Sequence, residues 1–162
     1  MVNHDTKSRE IFINTLDWLS LVVNRYAENF NFALVKIAFG HGNELGEAYG
    51  APEASKQLVA MTADLQKAFR KTDLVARNGS DFWVIFPYTP FSENIYEKIV
   101  TVMEDAHHDG LNVVDREIAI FTSPFDLSLA QTPEFSALAL LEYLKQHQQK
   151  LASHVFRFNA RT

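Results

Sequence analysis

The chain has 162 residues, 47% of them hydrophobic and 22% charged, enough apolar material for one globular core and too little length to expect a second domain. With 15 basic against 20 acidic side chains the formal charge is -5 and no lysine or arginine run exists, which disfavours a nucleic-acid or anionic-membrane surface. Cysteine is absent, which excludes disulfides, thiolate metal cages and cysteine nucleophiles.

Met1 to Lys7 lacks the apolar core of a signal peptide, and the expectation is one cytoplasmic domain over 1–162 with 1–7 a flexible or wing-like segment. Ile11, Leu16, Leu19, Val22, Val23 and Tyr26 recur at helical spacing and predict an amphipathic helix through Ser8 to Asn29. Phe32 to Phe39 is the longest apolar run. Interrupted by Lys36, it is too short for a bilayer and suits a central strand covered on one face and partly on the other. Gly40 to Gly50 reads as a loop. Pro52 fits the first turn of a second helix, with Leu58, Met61, Leu65, Ala68 and Phe69 along its buried side. Apolar runs on either side of Asn78-Gly79-Ser80 predict a β-hairpin. Ser92 can cap a third helix that carries Ile95, Ile99, Val102 and Met103 inward and ends in the polar run Glu104 to Gly110. Arg116 to Phe121 reads as a strand, Thr132 with Pro133 opens a fourth helix to about Lys150, and His154 to Phe158 suits a short edge strand.

Without the first helix and the last strand the order is β-α-β-β-α-β-α. The fold expected is α+β, a ferredoxin-like βαββαβ core with helices on one face of an antiparallel sheet. Nucleotide cyclases and polymerase palms share this arrangement and set acids on the first strand against acids on the central hairpin. The hairpin of this chain carries Arg70, Asp73, Arg77, Gly79, Ser80, Asp81 and Pro87, with five residues between Asp73 and Gly79. In that pattern it resembles the GGDEF (diguanylate cyclase) family. Ser8-Arg9 with Phe12 and Leu16, Tyr49-Gly50, and Ala137 to Lys145 extend the resemblance over almost the whole chain.

The resemblance implies chemistry that the residues only partly supply. Family members that make cyclic di-GMP from two GTP molecules hold two Mg2+ ions with acids of the first strand and the hairpin. Here Ala38 and Gly40 stand in the first-strand places, and Gly79-Ser80-Asp81-Phe82 retains one acid of the signature. Gly46, Glu47 and Ser55 replace the residues that read guanine, and lost hydrogen bonds of that kind cost roughly 10^4 to 10^5 in discrimination. The expectation is a domain that is not an enzyme, with no catalytic residue, cofactor or metal, in which Gly79, Ser80, Asp81 and Lys145 are remnants of the active site. Lys145 matches a lysine that approaches substrate phosphates in active members.

By the same resemblance Arg70 and Asp73 match the Arg-x-x-Asp inhibitory site for cyclic di-GMP. A guanidinium fork grips phosphate oxygens and stacks on purines, and a carboxylate accepts from the guanine edge. Lys98 lies near a supporting arginine position as a weaker point charge. Each residue also has a plainer reading: Arg70 with Asp73 as a local ion pair, Asp81 as a turn residue, and Lys145 at a solvated helix end. His107-His108, with Asp105 and Asp109, reads as an exposed helix end on which neighbouring imidazoles diverge. Phe82, Trp83 and Phe86 alternate, so one face of the hairpin is expected to be open to a partner. Ser80, Ser92 and Ser123 have no histidine nearby in sequence, and no hydrolase is indicated. The function expected is a catalytically inactive regulatory or protein-interaction module of bacterial cyclic di-GMP signalling. The alternatives are a cyclic di-GMP receptor working through Arg70 and Asp73 and a GTP-binding allosteric domain without turnover. Cyclic di-GMP, a partner protein or a second copy are the expected partners; nucleic acid and membrane insertion are not.

Overall fold

Every side chain of β1, Phe32–Phe39, is buried, which is possible only for a strand with a neighbour on each edge and a layer on each face. The computed structural model, which describes residues 4–26, 31–40, 44–87, 93–130 and 136–160, supplies all four. β1 pairs antiparallel with β3, Asp81–Pro87, and with β4, Arg116–Thr122. β2, Leu74–Asn78, and β5, His154–Phe158, complete a five-stranded sheet in the order β2-β3-β1-β4-β5. This is the α+β, cyclase-like antiparallel architecture expected.

Helices cover both faces of the sheet, not one. Strand side chains alternate between faces, so Ala33, Val35, Ile37 and Phe39 form one core with α2 (Glu44–Tyr49), α3 (Ala51–Ala68) and α4 (Glu93–Met103). Phe32 and Leu34 join Trp83, Ile85, Ala119 and Phe121 in a second core under α1 (His4–Tyr26) and α5 (Ala137–Gln146). Trp83, 2% exposed, is therefore buried under that second layer, and the hairpin has no open aromatic face.

Several boundaries differ from the sequence reading. α1 begins at His4 and so takes in residues 4–7, while 27–30 lie outside the described residues. The segment read as a loop contains α2, which buries Leu45. A 3-10 helix, Ala106–Val113, follows α4 where a plain helix end was expected, with Leu111 buried in the first core. Ser136 accepts from the Ala139 N–H and caps α5; Thr132, Pro133 and Ser92 lie outside the described residues. The last helix is split at His147 into α5 and a single turn α6, Gln148–Leu151. The hairpin is as expected. Asn78 faces Asp81, leaving Gly79-Ser80 as a two-residue turn, with Gly79 at φ +67 and the Arg77 guanidinium donating to its carbonyl at 2.9 Å.

Candidate functional site

The register brings the polar residues together. Ala38 lies between Asp81 of β3 and Glu117 of β4, and Glu117 faces Arg157 of β5, so these side chains share the sheet face that α1 and α5 cover. Lys36, two residues before Ala38, points to the same face, and α5 contributes Lys145. Past β1, Gly40 turns with φ +76 and donates its N–H to the Asp115 carbonyl at 2.8 Å, which closes the end of the site. A cavity of about 230 Å3 results, lined by these residues together with Asp115, Arg116, Phe158 and Asn159.

Asp81 is a strand residue, 6% exposed, and its Oδ2 accepts from Lys145 Nζ at 2.7 Å. It is therefore neither a plain turn residue nor the neighbour of a free helix-end lysine. Ionised, it needs that partner, because a buried carboxylate without one is costly. Lys36, with 5% of its side chain exposed, lies 3.4 Å from Glu117. Glu117 also accepts from Gln148 Nε2 at 2.6 Å and from Arg157 Nε at 3.2 Å. Burial pushes the Glu117 carboxyl up, but the Gln148 bond, the Lys36 charge and the Arg157 and Lys36 bonds together outweigh it. The net result is a carboxyl below its ordinary value of 4.5.

The cavity thus gathers three cationic side chains, Lys36, Lys145 and Arg157, and three carboxylates, Asp81, Asp115 and Glu117, while Arg116, which borders it, turns its guanidinium to the other face and lies 3.4 Å from Glu104, just after α4. The charges are matched, and the cations that reach solvent are Lys145 and Arg157. A Mg2+ pair of the kind the sequence resemblance implies needs free carboxylate oxygens. Ala38 and Gly40 offer none, and Asp81 and Glu117 are engaged by cations, so the donors do not fit such a centre in this arrangement. Both outer cations can swing aside, since the side chains of Lys145 and Arg157 are 48% and 66% exposed.

The other anticipated site stands apart. Arg70 and Asp73 form the turn before β2, an edge strand, where Asp73 Oδ2 accepts from the Arg70 backbone N–H at 3.1 Å and the Asp73 N–H bonds to the Arg70 carbonyl at 2.9 Å. Their contact is thus through the Arg70 backbone, and the Arg70 side chain is exposed. Lys98 is exposed on α4, Gly46 and Glu47 lie on α2, and Ser55 is exposed on α3. The sequence reading missed Glu117, Arg157, Asp115 and Arg116. Its one available signal was Lys36: a charge in the middle of an apolar central strand demands a partner on a neighbouring strand.

The sequence profile described as "Diguanylate cyclase, GGDEF domain" matches residues 7–150. The chain belongs to the GGDEF family. The GGDEF domain of PA1120 (YfiN or TpbB) from Pseudomonas aeruginosa superposes with a TM-score of 0.51 at 18% identity, covering 90% of this chain and 92% of that one. The coiled coil and GGDEF domain of DgcB from Caulobacter crescentus, solved in complex with c-di-GMP, gives 0.57 at 12% identity over 86% and 73%. Diguanylate cyclase SiaD of Pseudomonas aeruginosa, solved with its activator SiaC, gives 0.54 at 15% identity; the match covers 85% of this chain and 55% of SiaD. At these identities the likeness is one of fold. No curated protein matches the chain.

Membership corrects one expectation. The GGDEF domain was read as a non-enzyme, yet the matching family is one of diguanylate cyclases and nothing in the described residues establishes loss of that activity. The sequence reading judged activity from a few substituted positions on β1 and the hairpin, whereas the family match extends over residues 7–150. No helix among the described residues is long and apolar enough to cross a membrane.

Proposed function

We propose that this GGDEF domain acts as a regulatory module of cyclic di-GMP signalling and meets the dinucleotide at Arg70 and Asp73. The observation that carries the reading is the exposed Arg70 side chain beside an Asp73 that two backbone bonds hold in place. A guanidinium there can take a phosphate and stack on a guanine, while the second oxygen of Asp73 accepts from the base edge. Lys98 adds a point charge from α4. Titration calorimetry with cyclic di-GMP tests it. A charge-assisted bond is worth about 1.5–3 kcal/mol, so Arg70→Ala should weaken a saturable binding curve roughly 10- to 100-fold. Heats without saturation, or an affinity indifferent to Arg70, would refute the reading. GTP turnover with Mg2+ belongs in the same experiment, because any cyclase rate should fall as the dinucleotide fills its site.

The solvent-reaching cations at the mouth of the cavity favour a second reading, in which Lys145 and Arg157 turn from their carboxylates to receive the phosphates of a guanine nucleotide. Lys145→Ala should then weaken GTP binding and leave cyclic di-GMP binding unchanged. Equal loss of both ligands would mean that the variant perturbs the fold and not the cavity.

A further inference from the structure

On the sheet face opposite the cavity, in the layer of α3 and α4, two imidazoles and a carboxylate converge. His108, in the 3-10 helix, is buried, and its Nε2 lies 2.7 Å from Asp64 Oδ2 of α3. One hydrogen bond of that kind satisfies a buried histidine and needs nothing further. His107 is what it leaves unexplained. With its side chain 68% exposed His107 is free to turn into solvent, yet its Nδ1 lies 3.6 Å from the same Oδ2.

The backbone arranges this against the expectation that neighbouring imidazoles diverge. The Asp105 side chain accepts from the His107 N–H at 2.9 Å and caps the turn, and His108 leaves helical geometry at φ -110, ψ 18. The two rings consequently stack, with centroids 5.0 Å apart and planes 22° from parallel. The three donor atoms lie within 4.8 Å of one another. Beside the histidines opens a cavity of about 290 Å3, bordered also by Glu53, Lys56 and Gln57.

We propose that Asp64, His107 and His108 form a binding site for one divalent transition-metal ion, with Zn2+ the best match to its donors. Two imidazole nitrogens and one carboxylate oxygen are a zinc donor set, whereas Mg2+ and Ca2+ prefer oxygen alone. Tetrahedral zinc with bonds of about 2.0 Å sets its ligands roughly 3.3 Å apart. The 2.7 Å contact has to open and the 3.6 Å contact to close by less than an ångström each, and the two imidazole nitrogens, within 4.8 Å of each other, have to reach the same spacing, an adjustment left to exposed His107 and half-buried Asp64. The cavity bordered by both histidines leaves room for a water as fourth ligand, as in zinc sites with three protein ligands. Lys56 is the opposing charge on that wall, and it is exposed to solvent. A bound ion would pin α3 to the segment that leads into β4.

The test uses the untagged, metal-stripped domain, Zn2+ in competition with a chromogenic chelator, and Co2+ as a spectroscopic substitute. One equivalent of Zn2+ per chain is expected, together with the visible absorption of tetrahedral Co2+ and a melting temperature that rises with added Zn2+. His107→Ala changes an exposed side chain, and circular dichroism confirms that it folds; it should lose at least tenfold in affinity. Asp64→Asn should lose affinity as well, and His154→Ala, at an exposed histidine on β5, should not. No stoichiometric uptake by the wild type, or uptake that survives both His107→Ala and Asp64→Asn unchanged, would overturn the proposal.

Discussion

Lys36 and Glu117 do not depend on each other equally, and the difference can be measured. Replacing Glu117 by Gln leaves the Lys36 ammonium, on a side chain 5% exposed, without its carboxylate. Breaking a buried pair in this way costs about 3–5 kcal/mol, and the water-accessible cavity sets the expectation at the low end, about 3 kcal/mol. Replacing Lys36 by Met removes the buried charge itself and fills the same space with an apolar chain. Glu117 keeps Gln148 at 2.6 Å and Arg157 at 3.2 Å, so the loss should be about 1 kcal/mol. For a domain of this size 1 kcal/mol moves the melting temperature by about 2–4 °C, which separates the variants into roughly 6–12 °C for Glu117→Gln and 2–4 °C for Lys36→Met. The double variant should resemble Lys36→Met alone, since no uncompensated charge remains. Thermal and urea melts at neutral pH and low salt give all three values. Equal losses, or a larger loss for Lys36→Met, would refute the assignment of Glu117 as the residue that keeps Lys36 buried.

The same carboxylate sets an acid limit. Its folded-state pKa is lowered, so its contribution to stability is complete above about 4.5 and disappears as pH falls through the folded value; the stability gap between wild type and Glu117→Gln should narrow below pH 4.5. A gap independent of pH would contradict this. At the hairpin, Gly79 sits at φ +67 with nothing within 4 Å of an added Cβ, so the strain is conformational and not steric. Gly79→Ala should cost about 1–2 kcal/mol in urea melts and Gly79→Asn clearly less, because asparagine tolerates the left-handed region; equal costs would mean that the turn has another shape.

How much was legible in the chain follows from the range of the forces involved. Asn78-Gly79-Ser80 announced its turn because two-residue hairpin loops demand positive φ, and a glycine there is a local fact. β1 declared itself central by being apolar throughout. That the helices divide between two faces did not show, because a continuous apolar run does not say what covers each side and α1 looked like an appendage to the core. α2 escaped notice because Gly46 interrupts it and Gly40 and Gly50 flank it. The site has the same character. Asp81 and Lys145 could each be picked out by resemblance, but their 2.7 Å pairing spans 64 residues and depends on how α5 settles on the sheet. Glu117 and Arg157 face each other only once β4 and β5 are in register, and nothing near them in sequence signals it.

β1 is apolar on both faces, and each of its neighbours arrives late. During synthesis Phe39 waits for Asp81 and Phe82 to complete the hairpin and for Arg116 on the other side. At about 5–20 residues per second the second wait is roughly 4–16 s, long enough for a bare strand of this composition to pair with the wrong chain. Lys36 is charged throughout that interval and sits at the middle of the run, where a charge is most effective in blocking strand-to-strand aggregation. The residue that is costly to bury in the finished cavity is thus placed where a gatekeeper charge would guard the nascent chain, and Lys36→Met, mild in its effect on the folded domain, should be the variant that is lost to inclusion bodies when soluble yields are compared.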